Sequence, residues 1–124
     1  MRIEKRDGYR LLIGGPVPPQ ADAITLGRWV IVRKKAADSK SLLAHELVHV
    51  RQFIEMGPVK FLAKYLGSYF RSRLNGYGHM AAYRRIPLEV EAVSESRKYG
   101  FAQMEERVRS TSRRKRRSVP SPSS

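Results

Sequence analysis

The stretch Ser41-Leu42-Leu43-Ala44-His45-Glu46-Leu47-Val48-His49-Val50-Arg51-Gln52 determines how the rest of the chain is interpreted. It places an H-E-x-x-H pattern inside an apolar run. Residues four apart on an α-helix share a face, so His45 and His49 can point two imidazoles at one Zn²⁺ ion. Glu46 lies beside them, where it can take a proton from a metal-bound water. Two histidines at this spacing are costly to bury without a shared partner, which favours a metal site over an incidental pair.

The same stretch is predicted to be a central helix. Asp38 or Ser39 is a suitable N-cap, and the helix is expected to run to about Met56. Gly57-Pro58 ends it, because glycine suits the left-handed position after a helix and proline cannot continue one. Apolar residues lie on both sides of the histidines, so the helix should be largely buried. These residues are Leu42, Leu43, Leu47, Val50, Phe53 and Ile54.

A small sheet is predicted before this helix. Ala23–Leu26 and Trp29–Val32 are two short β-prone runs separated by Gly27-Arg28, which is typical of a hairpin with a type II′ turn. Residues 1–20 are weakly patterned, although Tyr9–Ile13 can form a short strand before a Gly/Pro-rich loop. An edge strand beside the helix could bind a peptide by strand addition, or the sheet could only cover the core.

Two further helices are predicted after it. The first spans about residues 59–73, and its apolar and aromatic stripe is expected to lie in the core. The second begins at Ile86-Pro87 and runs toward Arg109, with a possible interruption at Gly100. The predicted fold class is therefore α+β and mainly helical, with a small N-terminal β-hairpin or sheet packed on the central helix.

The third metal ligand is predicted from the residue types that remain. The chain has no cysteine, and a catalytic zinc site needs three protein ligands, so a carboxylate from Glu89 or Glu91 is the natural candidate. These two residues point about 200° apart on a helix. Glu89 shares its face with the small apolar residues Ala92 and Val93, whereas the face of Glu91 is more polar. The pattern favours Glu89 and leaves Glu91 as the alternative.

The loop at residues 75–79 and the residues after it offer further candidate groups. His79 is an alternative metal ligand or a hydrogen-bond donor to a transition state, or simply an exposed loop histidine. Tyr77 and Tyr83 are also candidates for donating to a developing oxyanion. The sequence does not choose among the three.

The chain is strongly basic. Its 124 residues carry 25 Lys and Arg against 11 Asp and Glu, a net charge of +14, which favours acidic partners. Residues 110–124 are of low complexity and are predicted to be disordered. This segment could contact nucleic acid without sequence preference, dock an acidic partner, or only increase solubility. Its basic residues are Arg113, Arg114, Lys115, Arg116 and Arg117.

The sequence contains no apolar run long enough for a transmembrane helix, and Leu11-Leu12-Ile13 is too short for the core of a signal peptide. The expected location is cytoplasmic, with delivery by a non-classical route possible. Residues 21–109 are predicted to form one domain.

The segment Leu43–Gln52 resembles the gluzincin clan of zinc metallopeptidases, and in particular the compact bacterial minigluzincin-like domains written HELxHVxQ, including those linked to contractile injection systems. In that clan the third ligand is the first glutamate of an E-x-x-A or E-x-x-S pattern on a later helix. Glu89-Val90-Glu91-Ala92 matches it, so the resemblance implies Glu89. Val93 departs from the clan, in which an Asp or Asn often follows and supports a ligand.

The resemblance covers about residues 21–106 and implies a zincin-like fold. It also implies a zinc-dependent metallopeptidase that hydrolyses a peptide or protein substrate, with Glu46 as general base. The alternative from another class is a catalytically weak or inactive zincin-fold module that binds or assembles with a partner, with the basic tail as a docking device.

Overall fold

The computed structural model describes residues 1–19 and 21–118, and it has the predicted α+β, mainly helical architecture. Four strands come first: β1 Arg2–Arg6, β2 Tyr9–Ile13, β3 Ala23–Leu26 and β4 Trp29–Val32. A short 3₁₀ turn at Lys34–Ala36 leads into the helices. These are α1 Lys40–Met56, α2 Pro58–Leu74, α3 His79–Arg85, α4 Pro87–Lys98 and α5 Phe101–Ser118.

The strands form one sheet in the order β1-β2-β4-β3, in which β2 and β4 are parallel and the other pairs are antiparallel. The predicted β3–β4 hairpin is confirmed. Gly27 has φ +64° and Arg28 does not have a positive φ, which is the type II′ combination rather than type I′. β3 is an edge strand that contacts α1, so the hairpin lies directly against the H-E-x-x-H helix.

Residues 1–19 contain two strands, whereas their pattern indicated only one. Tyr9–Ile13 is a strand as predicted, with Tyr9, Leu11 and Ile13 buried. β1 was not predicted, because Arg2–Arg6 is mostly charged and exposed. Its strand conformation depends on antiparallel pairing with β2, and a local pattern does not reveal this partner.

Helix α1 has the predicted limits. The Ser39 hydroxyl accepts a hydrogen bond from the backbone N–H of Leu42, and Gly57 follows the helix with φ +83°. The helix packs against α4, α5 and the sheet, so it is the centre of the core. The fully buried side chains of this core include Leu47, Val48, Val50, Met104 and Val108.

The prediction that the stripe of α2 lies in the core is wrong. No residue of α2 is fully buried. Phe61, Tyr65 and Tyr69 are partly covered, whereas the neighbouring Leu62 and Phe70 are 55% and 57% exposed. Periodicity shows that a helix has an apolar face, but it does not show that a partner covers that face.

The last predicted helix is two helices in the structure, α4 and α5, which are separated at Tyr99 and Gly100, where a possible interruption was predicted. The short helix α3 precedes them and was not predicted. The structure therefore has four helices after α1, where the sequence predicted two.

The predicted end of the last helix is also wrong. Instead of ending near Arg109, α5 continues to Ser118. Thr111 and Ser112 are buried, and Arg28 donates to the Ser112 hydroxyl, so part of the segment that was predicted to be disordered packs on the domain. Arg113 and Arg114 form ion pairs with Asp7 and Glu55. The rest of that prediction concerns residues 119–124, which lie outside the described residues.

A partly buried ion-pair network joins three helices. Arg51 of α1 lies 2.6 Å from Glu95 of α4 and 3.0 Å from Glu55. Glu95 also accepts from Arg107 of α5 at 3.0 Å. Burial lowers the pKa of Arg51, but Glu95 and the other carboxylates raise it more. The network fixes α4 relative to α1. Within the described residues, every helix is too short or too polar to cross a bilayer.

Candidate metal centre

Three side chains from two helices converge at one point. His45 and His49 lie one turn apart on α1, with ring centroids separated by 5.1 Å. Glu89 lies in the first turn of α4, which Pro87 begins. Ala92, one turn further on, is completely buried in the core formed with α1. Because its side chain is small, the two helices can approach each other closely. Val93, expected on the same face, is instead 40% exposed.

The distances in this group suit a small cation. Nε2 of His45 lies 3.1 Å from Oε1 of Glu89, and Nε2 of His49 lies 3.0 Å from Oε2 of Glu89. The three residues each offer a ligand atom within 4.8 Å of the others. Tetrahedral ligands at typical zinc distances are separated by about 3.3 Å. The spacing of the group therefore fits a bound metal ion.

The hydrogen bonds of His49 leave one of its nitrogens available. Nδ1 pairs with the side-chain oxygen of Gln52 at 2.9 Å, and a hydrogen bond in that direction places the ring proton on Nδ1. Nε2 is buried and has no partner in hydrogen-bonding geometry, despite its short distance to Glu89. A buried nitrogen without a partner is costly, and a metal ion would satisfy it.

The electrostatics of the group also favour a cation. Burial raises the pKa of Glu89, but the His45 and His49 imidazoles close to its carboxylate lower the pKa more, so the net shift is downward and the carboxylate is ionised. Burial lowers the pKa of His49, but Glu89 and Glu46 raise it more. The buried carboxylates thus favour positive charge at this position, and either a proton or a metal ion supplies it.

Glu46 is buried next to the ligand group and is held by a residue that the sequence analysis did not identify. The hydroxyl of Thr25, on β3, donates to Oε2 of Glu46 at 2.6 Å. This contact joins the edge strand to the H-E-x-x-H helix. The only signal in the sequence was the position of the hairpin just before α1, which does not specify which strand residue faces Glu46.

Two tyrosines contact the group from α2 and α3. Tyr65, which was not predicted as a site residue, donates to Oε2 of Glu89 at 2.7 Å. Tyr83, which was predicted as a candidate, lies close enough to Glu89, Glu46 and Tyr65 for all three to affect its pKa. Burial and the Glu89 carboxylate raise the pKa of both phenols well above the usual range, so both keep their protons.

The other predicted candidates lie outside the group of three ligands. His79 pairs with the hydroxyl of Tyr69 at 2.7 Å. Tyr77 lies under the guanidinium of Arg85. Glu91, the alternative ligand, instead contacts Arg51 and Gln52, and its side chain is half exposed.

Comparison with known proteins gives one partial match. A family model described as the eCIS core domain matches residues 18–56, which include β3, β4 and α1 with His45, Glu46 and His49. The match ends before Glu89, and the family description does not specify an enzymatic activity. No curated protein matches the chain, and neither does any solved structure.

Proposed function

We propose that this protein is a zinc-dependent metallopeptidase in which His45, His49 and Glu89 hold the metal and Glu46 is the general base. The observation that carries the proposal is the position of Glu46, a buried carboxylate next to a His/His/Glu group in which His49 and Glu89 are buried and His45 is partly buried. A structural metal site has no need of a second carboxylate that lies beside the ligands. Hydrolysis does need one, to accept the proton of the attacking water.

The chemistry follows from the groups that surround this point. Zinc, when bound, supplies a Lewis acid that lowers the pKa of water and polarises a carbonyl group. Glu46 takes one proton from the attacking water and gives it to the amine that leaves when the peptide bond breaks. Thr25 keeps the carboxylate of Glu46 oriented. Tyr83 is partly exposed and keeps its phenolic proton, so it can donate to the negative charge that develops on the carbonyl oxygen.

The edge strand β3 gives the substrate a place to bind. β3 pairs with β4 on one side only, and Thr25 joins it to Glu46. An extended peptide can add to the free edge through main-chain hydrogen bonds, which would hold a backbone carbonyl near the base. The substrate class that fits is therefore an extended or locally unfolded segment of a polypeptide.

The experiment compares wild type, Glu46→Gln and Glu91→Gln after zinc-replete purification. Zinc content is measured by mass spectrometry, and cleavage is measured on a diverse peptide library. Wild type and Glu91→Gln should bind zinc and cleave, whereas Glu46→Gln should bind zinc without cleaving. Equal cleavage by wild type and Glu46→Gln would remove Glu46 from its role.

The same experiment separates this function from a binding or assembly module. The large exposed apolar surface of α2 is the observation that favours a module. Zinc binding by wild type without cleavage of any peptide would support that alternative.

A further inference from the structure

The outer face of α2 is an apolar surface that no other described part of the chain covers. It comprises residues spaced three or four apart along the helix: Val59, Leu62, Leu66, Phe70 and Leu74. All five are exposed, Val59 and Leu74 by more than 80%. The helix of 17 residues is about 25 Å long, so this face is a continuous strip rather than a scatter of single residues.

The opposite side of α2 explains why the strip faces outward. Phe61 stacks on Tyr65 and also contacts Phe53 of α1, and Tyr65 donates to Glu89. Tyr69 pairs with His79. These contacts fix the rotation of α2 about its axis, so the outer face is held toward solvent and cannot turn into the core.

The charge around this face has one sign. The sequence from Gly57 to Leu88 contains no Asp or Glu, and all 11 acidic residues of the chain lie elsewhere. Within the described residues, none of the basic residues of this segment forms an ion pair with a carboxylate, although Arg85 lies over Tyr77. These basic residues are Lys60, Lys64, Arg71, Arg73, Arg84 and Arg85.

Apolar and basic residues are arranged here as in helices that lie on membranes. At 100° per residue, Lys60, Lys64 and Arg71 follow one border of the outer face, and Arg73 lies on the face itself near its C-terminal end. Long basic side chains at such a border can reach lipid headgroups while the apolar residues enter the acyl boundary. Anionic lipid supplies both the negative charge and the apolar layer.

Other binding partners fit the outer face of α2 less well than a lipid surface does. A nucleic acid backbone offers negative charge but no apolar layer for Leu62, Leu66 and Phe70. A second copy of the chain would bring the same basic residues against the first and cause like-charge repulsion. We therefore propose that the outer face of α2 binds peripherally to an anionic lipid surface. This proposal does not depend on the metal centre or on the proposed activity.

The first test measures binding of the full chain to vesicles of phosphatidylcholine, with and without phosphatidylglycerol. Wild type should bind only the anionic vesicles, and added NaCl should weaken binding. The triple variant Leu62→Gln/Leu66→Gln/Phe70→Gln should bind about a hundredfold more weakly. Ile3→Thr is the matched control, because Ile3 is 56% exposed on β1, and it should bind as wild type does.

Charge variants give an independent measurement if the triple variant fails to fold by circular dichroism. Lys60→Gln/Lys64→Gln should weaken binding about twentyfold at low salt. Lys34→Gln/Lys40→Gln, a pair of exposed lysines outside α2, should change binding little. Equally weakened vesicle binding by the two double variants would overturn the proposal, because binding would then depend only on the net charge of the chain.

A fluorescence measurement tests insertion directly. Trp29 is the only tryptophan, so Phe70→Trp in a Trp29→Phe background reports on the outer face alone. Its emission should shift to the blue on anionic vesicles and be quenched by brominated acyl chains. Unshifted emission would contradict the proposal. So would a wild type that binds no vesicles, or a triple variant that binds as well as wild type. A dimer in solution that the triple substitution dissociates would contradict it too, because the outer face would then bind a second copy of the chain.

Discussion

Gln52 supports the candidate ligand His49 and also contacts the helix that carries Glu89. Its side-chain oxygen lies 2.9 Å from Nδ1 of His49, and its amide nitrogen donates to the backbone oxygen of Leu88 at 3.0 Å. One buried amide thus orients the imidazole and holds the start of α4. The resemblance stated above implied a supporting residue at the position of Val93, but Val93 is 40% exposed, and Gln52 is placed to support His49 instead.

Gln52→Leu should weaken metal binding. Loss of the acceptor at Nδ1 leaves the ring without a fixed orientation, and such losses typically lower metal affinity about 10- to 100-fold. Competition with a chromophoric zinc chelator measures the affinity. Gln52→Glu keeps an acceptor oxygen and should therefore retain more of the zinc affinity than Gln52→Leu does. Equal zinc affinity in wild type and Gln52→Leu would show that the hydrogen bond has no influence on the metal.

Thr25→Val should lower the proposed peptidase activity without changing zinc content. Valine keeps the shape and β-branching of threonine but removes the hydroxyl that donates to Glu46. A less well oriented base should lower kcat roughly tenfold or more. Thr25→Ser keeps the donor and serves as the control. If Thr25→Val retained full turnover, Thr25 would have only a structural role.

Removal of residues 110–124 should destabilise the protein, because Thr111 and Ser112 are buried and Arg28 donates to Ser112. Loss of these contacts should lower the free energy of unfolding by about 1–3 kcal/mol, as judged from urea denaturation. Arg113→Gln/Arg114→Gln removes two exposed ion pairs instead and should cost about 1 kcal/mol or less. A truncated chain as stable as the full one would contradict the packing of α5.

The parts of the structure that the sequence predicted are those with a strong local cause. Ser39 and Gly57 set the limits of α1, Gly27 requires a turn between β3 and β4, and the spacing of His45 and His49 places both on one face. Glu89 was preferred to Glu91 from the residues that share its helix face, and Glu89 is the one that lies beside the histidines.

The parts that were missed depend on partners distant in the sequence. β1 is a strand because it pairs with β2. Thr25 and Tyr65 reach Glu46 and Glu89 through tertiary contacts that no local pattern encodes. The outer face of α2 has the period of a core helix but has no neighbour to cover it, and a periodic pattern alone does not distinguish these two cases.

The amount of zinc bound per chain tests the central claim most directly, when it is measured in wild type, Glu89→Gln and Glu91→Gln purified side by side. The two glutamates are separated by one residue on α4, but only Glu89 lies within ligand distance of His45 and His49. Wild type and Glu91→Gln should each bind about one zinc ion, in line with a three-ligand site, and Glu89→Gln should bind far less. Absence of zinc from wild type, or equal zinc in Glu89→Gln and wild type, would contradict the proposed metal centre.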